Sequence, residues 1–444
     1  MSDYRDIADQ FAAEIQEGRL RPGAKLPTQR DFAYEQGIAV STASRVYAEL
    51  TRRGLVVGEV GRGTFIAGAT PGILPQGEAH EGRIDLEFNF PTVPQQTGFI
   101  ARALGDLQRA DAAGSATGPV TARCIDAARK VFAEFLGTRD WQPSGDALVF
   151  TGSGRQSIAA TISALVPVGG RVAVEALSYP MIKSIAARLG VSIIPIVMDD
   201  DGMQPEALSR AHRKSAVSAI YVQPVMHNPL GLTMSEARRA EIVRLASKLD
   251  IPIIEDLVYG FLSDSPPLAA LAPERCIVID SLSKRIAPGI SIGTMHVPKG
   301  LRERIWSTVR GGAWTVPPLS LDLGARLILD GAAAEIVKLK RQDAHRRQAI
   351  VAKVLGECAF AGDPASYHLW LKLPERWRSE AFVAAAARVG VAITPSSAFA
   401  MVPGHAPKAV RLALGLPSHD ELRVAAKRLA NLLRTGPEDV DVTE

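Results

Sequence analysis

Apolar positions in the first fifty residues fall at helical spacing. Ile7, Phe11 and Ile15 recur at i, i+4 and i+8 and predict a first amphipathic helix, which Leu20-Arg21-Pro22-Gly23 breaks. Thr28 with Asp31 three residues on reads as a capping box that opens a short second helix to about Gln36, ended by Gly37. Ala43, Val46, Tyr47 and Leu50 make the buried stripe of a third helix, with Ser41, Ser44, Arg45 and Ala48 pointing elsewhere. The apolar runs 55–57 and 64–66 flank a glycine-rich basic turn and predict a two-stranded hairpin.

Helix, helix-turn-helix and hairpin, in that order, is the arrangement of a winged helix-turn-helix. Its third helix lies in the major groove and its hairpin tip approaches phosphates or the minor groove. A small three-helix bundle that binds protein, or a dimerisation arm, would show the same pattern. Residues 1–68 form this unit, and 69–84, rich in glycine and proline and without periodicity, read as a linker.

Past the linker the rhythm changes. Short runs rich in Val and Ile at 147–151, 171–175, 192–197, 218–223, 252–256 and 276–280 are separated in several places by helical stretches, notably 155–166, 179–189 and 235–249. This predicts an α/β large domain over 85–320, a mostly parallel sheet covered on both faces by helices. Helical patterns around 325–357 and 378–389, with strand-like 367–373 and 410–414, predict a small α+β domain over 321–434, followed by an acidic tail at 435–444.

Composition narrows the class. With 47% hydrophobic and 22% charged residues over 444 positions, the chain is neither disordered nor fibrous. No apolar run approaches the ~18–20 residues of a membrane span. The start lacks the basic-then-apolar order of a secretory signal, so a cytoplasmic location is expected. Three scattered cysteines, Cys124, Cys276 and Cys358, fit free thiols in a reducing compartment and no metal site. The net charge of +4 hides an asymmetry: residues 1–18 hold five acids against one arginine, and residues 19–66 hold eight bases against four acids. One positive face on the winged unit would suit nucleic acid.

Polar groups gather just after the predicted strands, where open α/β sheets bind ligands. They are Gly152-Ser153-Gly154-Arg155-Gln156, then Tyr179, His227-Asn228-Pro229, Asp256 with Tyr259, and Ser281, Ser283 and Lys284. Each alone has an ordinary structural reading: a strand–helix turn, an Asn-Pro turn, a helix cap, a solvated lysine. Together they describe one ligand. The glycine-rich helix start suits a phosphate, yet it is neither a Walker A loop nor GxGxxG, so a nucleotide is not indicated. Asp256, after an apolar strand, needs a cationic partner. Lys284 is an amine able to condense with a carbonyl. Phosphate, protonated ring nitrogen and aldehyde are the parts of pyridoxal 5′-phosphate.

Asn228-Pro229-Leu230-Gly231, Asp256-x-x-Tyr259 and the block from Ser281 to Gly289 resemble the signatures of fold type I, aspartate-aminotransferase-type enzymes, with 28 residues from Asn228 to Asp256 and 28 from Asp256 to Lys284. Residues 19–66, with Gly18-Arg19-Leu20-x-Pro22-Gly23 and Gly61-Arg62-Gly63-Thr64-Phe65, resemble the GntR family. Both together resemble the MocR-type transcriptional regulators. That resemblance implies roles. Lys284 would be the catalytic lysine that holds the cofactor covalently. Asp256 would pair with the ring nitrogen, Asn228 and Tyr259 with the ring hydroxyl, and Tyr179 would stack on the ring. Gly154, Arg155, Gln156, Ser281 and Ser283 would lie near the phosphate, and Arg411 would clamp an effector carboxylate. Arg30, Ser41, Thr42, Ser44 and Arg45 would face double-stranded DNA, with Gly61 and Arg62 at the wing tip.

The sequence also departs from that pattern. Ser291 stands where the family's phosphate-binding arginine is usual, so Arg155 or Arg285 is expected to replace its charge. Residues 111–115 hold no aromatic residue to serve as the partner subunit's tyrosine. Ala39-Val40 stands where Ser-Arg is common in the DNA reader. The expectation is a homodimeric regulator that senses the cofactor, a small amino-group effector, or both. A working aminotransferase with an accessory DNA-binding or regulatory module is the alternative. A protein-binding scaffold with a dead cofactor site is a third reading.

Overall fold

The computed structural model describes residues 4–16, 19–20, 24–52, 55–59, 63–66, 82–107, 114, 117–118, 122–356 and 360–436. The winged unit is built from helices Tyr4–Gln16, Gln29–Glu35 and Val40–Arg52 and a hairpin of Val56–Glu59 with Gly63–Ile66. Its core is small and aromatic. Phe32 stacks edge-on with Phe11 and Tyr47 at centroid distances of 5.2 and 5.3 Å, and Ala43, Val46, Leu50, Val56 and Ile66 close around it. Thr28 caps the second helix by accepting from the Asp31 amide, and Gly37, at φ +60°, turns the chain out of it.

Seven strands form the central sheet, in the order Leu148–Thr151, Gly293–His296, Cys276–Ser281, Ile253–Asp256, Ala219–Val222, Arg171–Glu175 and Ser192–Ile196. All are parallel except Gly293–His296, which runs antiparallel to both neighbours. The sheet is mostly parallel, as the Val/Ile runs predict, with this one strand making it mixed. The antiparallel strand was missed because it is four residues long and carries Gly293, Thr294 and His296. Helices such as Gly154–Leu165, Glu236–Leu249 and Ala122–Leu136 cover the sheet, which keeps its strands buried apart from the edge strand Ser192–Ile196.

The boundary expected at residue 321 falls inside helix Pro318–Leu329. That helix packs with Phe132, Phe150 and Leu282 in the large domain's core. Gly331, at φ +78°, ends this stretch, and the following helix Ala332–Leu355 begins in the same core and finishes, with Val351 and Leu355, in that of the small unit. The small unit holds a four-stranded sheet in the order Phe360–Ala361, His368–Lys372, Ala409–Ala413 and Thr394–Pro395. Helices Ser379–Arg388 and His419–Arg434 pack with it. Ile84, placed in the linker by sequence, is already a strand residue: Ile84–Asp85 pairs in parallel with Val391–Ala392, and Leu86 is buried in the small unit's core. No helix among the described residues is long and apolar enough to cross a membrane.

Candidate functional site

On the winged unit, the third helix divides as its periodicity predicts. Ala43, Val46, Tyr47 and Leu50 are buried, while Ser41, Ser44 and Arg45 are exposed and Thr42 is half-buried. Arg30 is exposed on the helix before it. The Tyr47 hydroxyl donates to the Pro27 carbonyl at 2.7 Å and ties the two helices of the motif together. Gly61 and Arg62 lie outside the described residues.

In the second site, Lys284 sits in a single helical turn, Leu282–Arg285, at the end of the strand Cys276–Ser281. Burial, with the Arg411 and Arg155 guanidiniums and Lys340 nearby, holds its amine well below the ordinary lysine range. Its Nζ lies 3.6 Å from the Phe90 ring centroid and donates to the Asn89 carbonyl at 2.5 Å. Asp256, 4% exposed, ends the next strand. Its Oδ2 accepts from the Tyr221 hydroxyl at 2.6 Å and Gln223 Nε2 at 3.1 Å, and its Oδ1 accepts from the Val258 amide at 3.0 Å. Burial raises its carboxyl, which has no ion-pair partner among the described residues.

The remaining candidates come from the loops after the strands and from the middle of strand Ala409–Ala413. Tyr179 follows the strand Arg171–Glu175, and its phenol, raised by burial, interacts with Arg155, Asp256 and Arg411. Tyr259 is raised by burial too and feels Arg411, Tyr179 and Asp256. Arg411 Nη1 donates to Asn228 Oδ1 at 3.4 Å, and its Nη2 donates to Thr394 Oγ1 at 3.0 Å and to the Glu87 carbonyl.

Opposite them, Ser153 caps helix Gly154–Leu165 by accepting from the Gln156 amide. Ser281 Oγ donates to Ser283 Oγ, which donates to Ser291 Oγ, at 3.1 and 3.2 Å. The two expected charge replacements part company. Arg155 is exposed at the helix start, and its charge acts on the Tyr179 phenol. Arg285 is turned away, with Nε and Nη2 donating to Asp280 Oδ2 at 2.8 and 2.5 Å beside the Phe135 and Phe261 rings. Successive residues of a helical turn point about 100° apart, so Lys284 and Arg285 cannot both face the pocket, and the buried Asp280 draws the arginine. Arg285 therefore does not sit among the phosphate candidates.

Several contributors carry no local motif. Tyr221 and Gln223 hold Asp256 from the neighbouring strand; a tyrosine inside an apolar run is their only sequence signal. Behind them Glu175 Oε2 lies 3.2 Å from His227 Nε2, both fully buried, and accepts from the Gln223 amide. Lys340, fully buried, donates to the carbonyls of Lys284 and Ile286 at 2.9 and 2.7 Å and so braces the lysine turn. It interrupts the buried stripe Ala333, Ile336, Ala344 and Val351, a signal the sequence did carry.

Residues 81–429, most of the chain, match the family model of class I and II aminotransferases. The chain belongs to that family. Residues 3–66 match the gntR family of bacterial regulatory proteins. The two joined in one chain make the MocR architecture of transcriptional regulators. The chain is 29% identical to the uncharacterized HTH-type transcriptional regulator YdeF of Bacillus subtilis (strain 168), over 97% of its own length and 94% of the relative's. It is 27% identical to the vitamin B6 salvage pathway transcriptional repressor PtsJ of Salmonella typhimurium, over 95% and 96%. The crystal structure of an archaeal alanine:glyoxylate aminotransferase superposes with a TM-score of 0.73 at 24% identity, over 79% of this chain and 91% of that one, and so shares the fold.

Proposed function

We propose that this chain is a cytoplasmic transcriptional regulator that binds double-stranded DNA as a homodimer through its winged helix. Its aminotransferase-like part holds pyridoxal 5′-phosphate on Lys284 and senses the cofactor, a small amino compound, or both. One observation carries the reading: a half-buried lysine of lowered basicity, a buried carboxylate with no ion-pair partner among the described residues and a buried arginine bonded to Asn228 come together around Tyr179 and Arg155. The pocket fits the group. A β-carbon at Gly154 would press on Ser281 at 3.3 Å, so glycine lets the helix start lie close against that serine. Arg411 Nε, a donor, is buried without a hydrogen-bond partner among the described residues.

Bound here, pyridoxal phosphate supplies an aldehyde that amines condense with and a ring that withdraws electrons. The residues set the conditions. Lowered basicity keeps a share of Lys284 as the neutral amine needed for attack. Asp256, aligned by Tyr221 and Gln223, holds a proton on the ring nitrogen. Asn228 and Tyr259 bind the ring hydroxyl, Tyr179 covers the ring, and Ser281, Ser283, Gln156 and Arg155 with the helix start bind the phosphate. Arg411 orients the effector's carboxylate.

Visible spectra of the purified full chain with the cofactor test this, alongside a gel shift on its own upstream DNA. A lysine-linked band should form, disappear in Lys284→Ala, and respond to an amino acid panel together with DNA affinity. Retention of both chromophore and DNA response in Lys284→Ala would overturn it. Arg411 and Lys284 in one pocket also suit a working aminotransferase, which steady release of keto acid at enzyme-like rates would reveal.

A further inference from the structure

The amine that would take the cofactor and the guanidinium that would take a carboxylate both donate to one short stretch of main chain. Lys284 Nζ donates to the Asn89 carbonyl at 2.5 Å and stacks on Phe90, while Arg411 Nη2 donates to the Glu87 carbonyl. These carbonyls lie 195 and 324 residues from their donors along the chain, on the segment 86–90. Asp85 Oδ1 shapes that segment by accepting the amides of Glu87 and Phe88 at 2.7 and 3.0 Å. Strand Ile84–Asp85, on Val391–Ala392, anchors its start. Exposed Arg83 immediately precedes this anchor, on the side from which the linker arrives from the winged unit.

We propose that segment 86–90 is a latch, held by Lys284 and Arg411 and lifted by the ligands that compete for them, and that its lifting loosens the point where the linker to the DNA-binding unit is anchored. The proposal rests on the functional reading above, and its chemistry is competition for donors. When the neutral Lys284 amine forms C=N with an aldehyde, both of its hydrogens leave with the aldehyde oxygen as water, and none remains to donate to Asn89. A carboxylate gripped by both arms of the Arg411 guanidinium takes Nη2 from Glu87. Each ligand therefore binds one state of the segment better than the other, the differential affinity that coupling requires. Both grips act on the same five residues, so release of one weakens the other. Cofactor and carboxylate then favour each other's binding.

Hydrogen exchange on the full-length chain, followed in peptides that report the amides of Glu87, Phe88 and Phe90, tests the latch. Without cofactor, Lys284→Met and Arg411→Met should each speed these amides about three- to tenfold, as expected for one lost hydrogen bond. The double variant should exceed either, and tryptic cleavage after Arg83 should quicken in step. Arg411→Lys, which keeps a donor for Glu87, should restore the wild-type rate, and unchanged exchange in the buried strands Ile253–Asp256 and Ala219–Val222 shows that the variants are folded. Pyridoxal phosphate added to the wild type should speed the same amides as its visible band grows. A band that forms while these amides exchange at the same or a slower rate overturns the latch and leaves the cofactor reading standing. Absence of a band overturns the cofactor reading, and the methionine variants still decide the latch.

Discussion

Tyr221 gives its hydroxyl hydrogen to Asp256 Oδ2 across the boundary between two parallel strands, at 2.6 Å and wholly out of water. A hydrogen bond to a buried carboxylate is worth roughly 1.5–3 kcal/mol. Here it favours the charged form that a pyridinium nitrogen needs, against a burial cost that pushes the other way. Tyr221→Phe should therefore weaken pyridoxal phosphate binding by about tenfold or more. Gln223→Leu should do the same more mildly, its bond being longer at 3.1 Å. Titration of the visible band reads both, and equal affinity in Tyr221→Phe would show that Asp256 needs no help.

Arg155 and Arg285 separate in a second measurement. Arg155→Ala should weaken pyridoxal phosphate binding about tenfold or more, while leaving the affinity for pyridoxal, which has no phosphate, nearly unchanged. Arg285→Ala should affect stability instead. It strands the Asp280 carboxylate, 7% exposed at the side chain, and breaking such a buried pair costs about 3–5 kcal/mol. Thermal melts and paired titrations with the two vitamers check each half.

Lys340 makes stability depend on pH. Burial lowers its amine from the ordinary 10.5 to about 7. Between pH 7 and 10.5 the unfolded chain then binds a proton that the folded chain does not. Stability from this group rises with pH across that window, by up to ~1.4 kcal/mol per unit, and its cost is fully present below pH 7. Lys340→Met should flatten the slope of Tm against pH between 7 and 10, whatever it does to Tm itself. An unchanged slope would mean the lysine keeps its proton.

Operator binding should weaken steeply as salt rises, because Arg30 and Arg45 would displace counterions from phosphates. Arg45→Ala should reduce the slope of log affinity against log salt by about one for each copy that contacts phosphate there. A slope that stays flat in the wild type would make protein, not DNA, the partner of this face.

Much of the architecture is local and therefore readable. Short Val/Ile runs bury a strand on both faces whatever surrounds them, and Ala43, Val46, Tyr47 and Leu50 specify a helix face by period alone. The chemistry-bearing residues were also readable, because the ends of parallel strands open onto a common crevice. The helical pattern around 325–357 runs the end of Pro318–Leu329 into Ala332–Leu355 because the break is a single glycine, Gly331, whose left-handed backbone only the structure displays.

Sequence alone thus determined most of the elements and which side chains could do chemistry, since both follow from spacing over a few residues. Tertiary structure decided which partners those side chains meet. Arg285 turns to Asp280, Tyr221 and Gln223 grip Asp256, Lys340 braces the Lys284 turn, and the carbonyls of Glu87 and Asn89 take Arg411 and Lys284. The physical reason is that helical and strand periods act over neighbours. A hydrogen bond between residues hundreds of positions apart depends on where the packed sheet and its helices bring two backbones together.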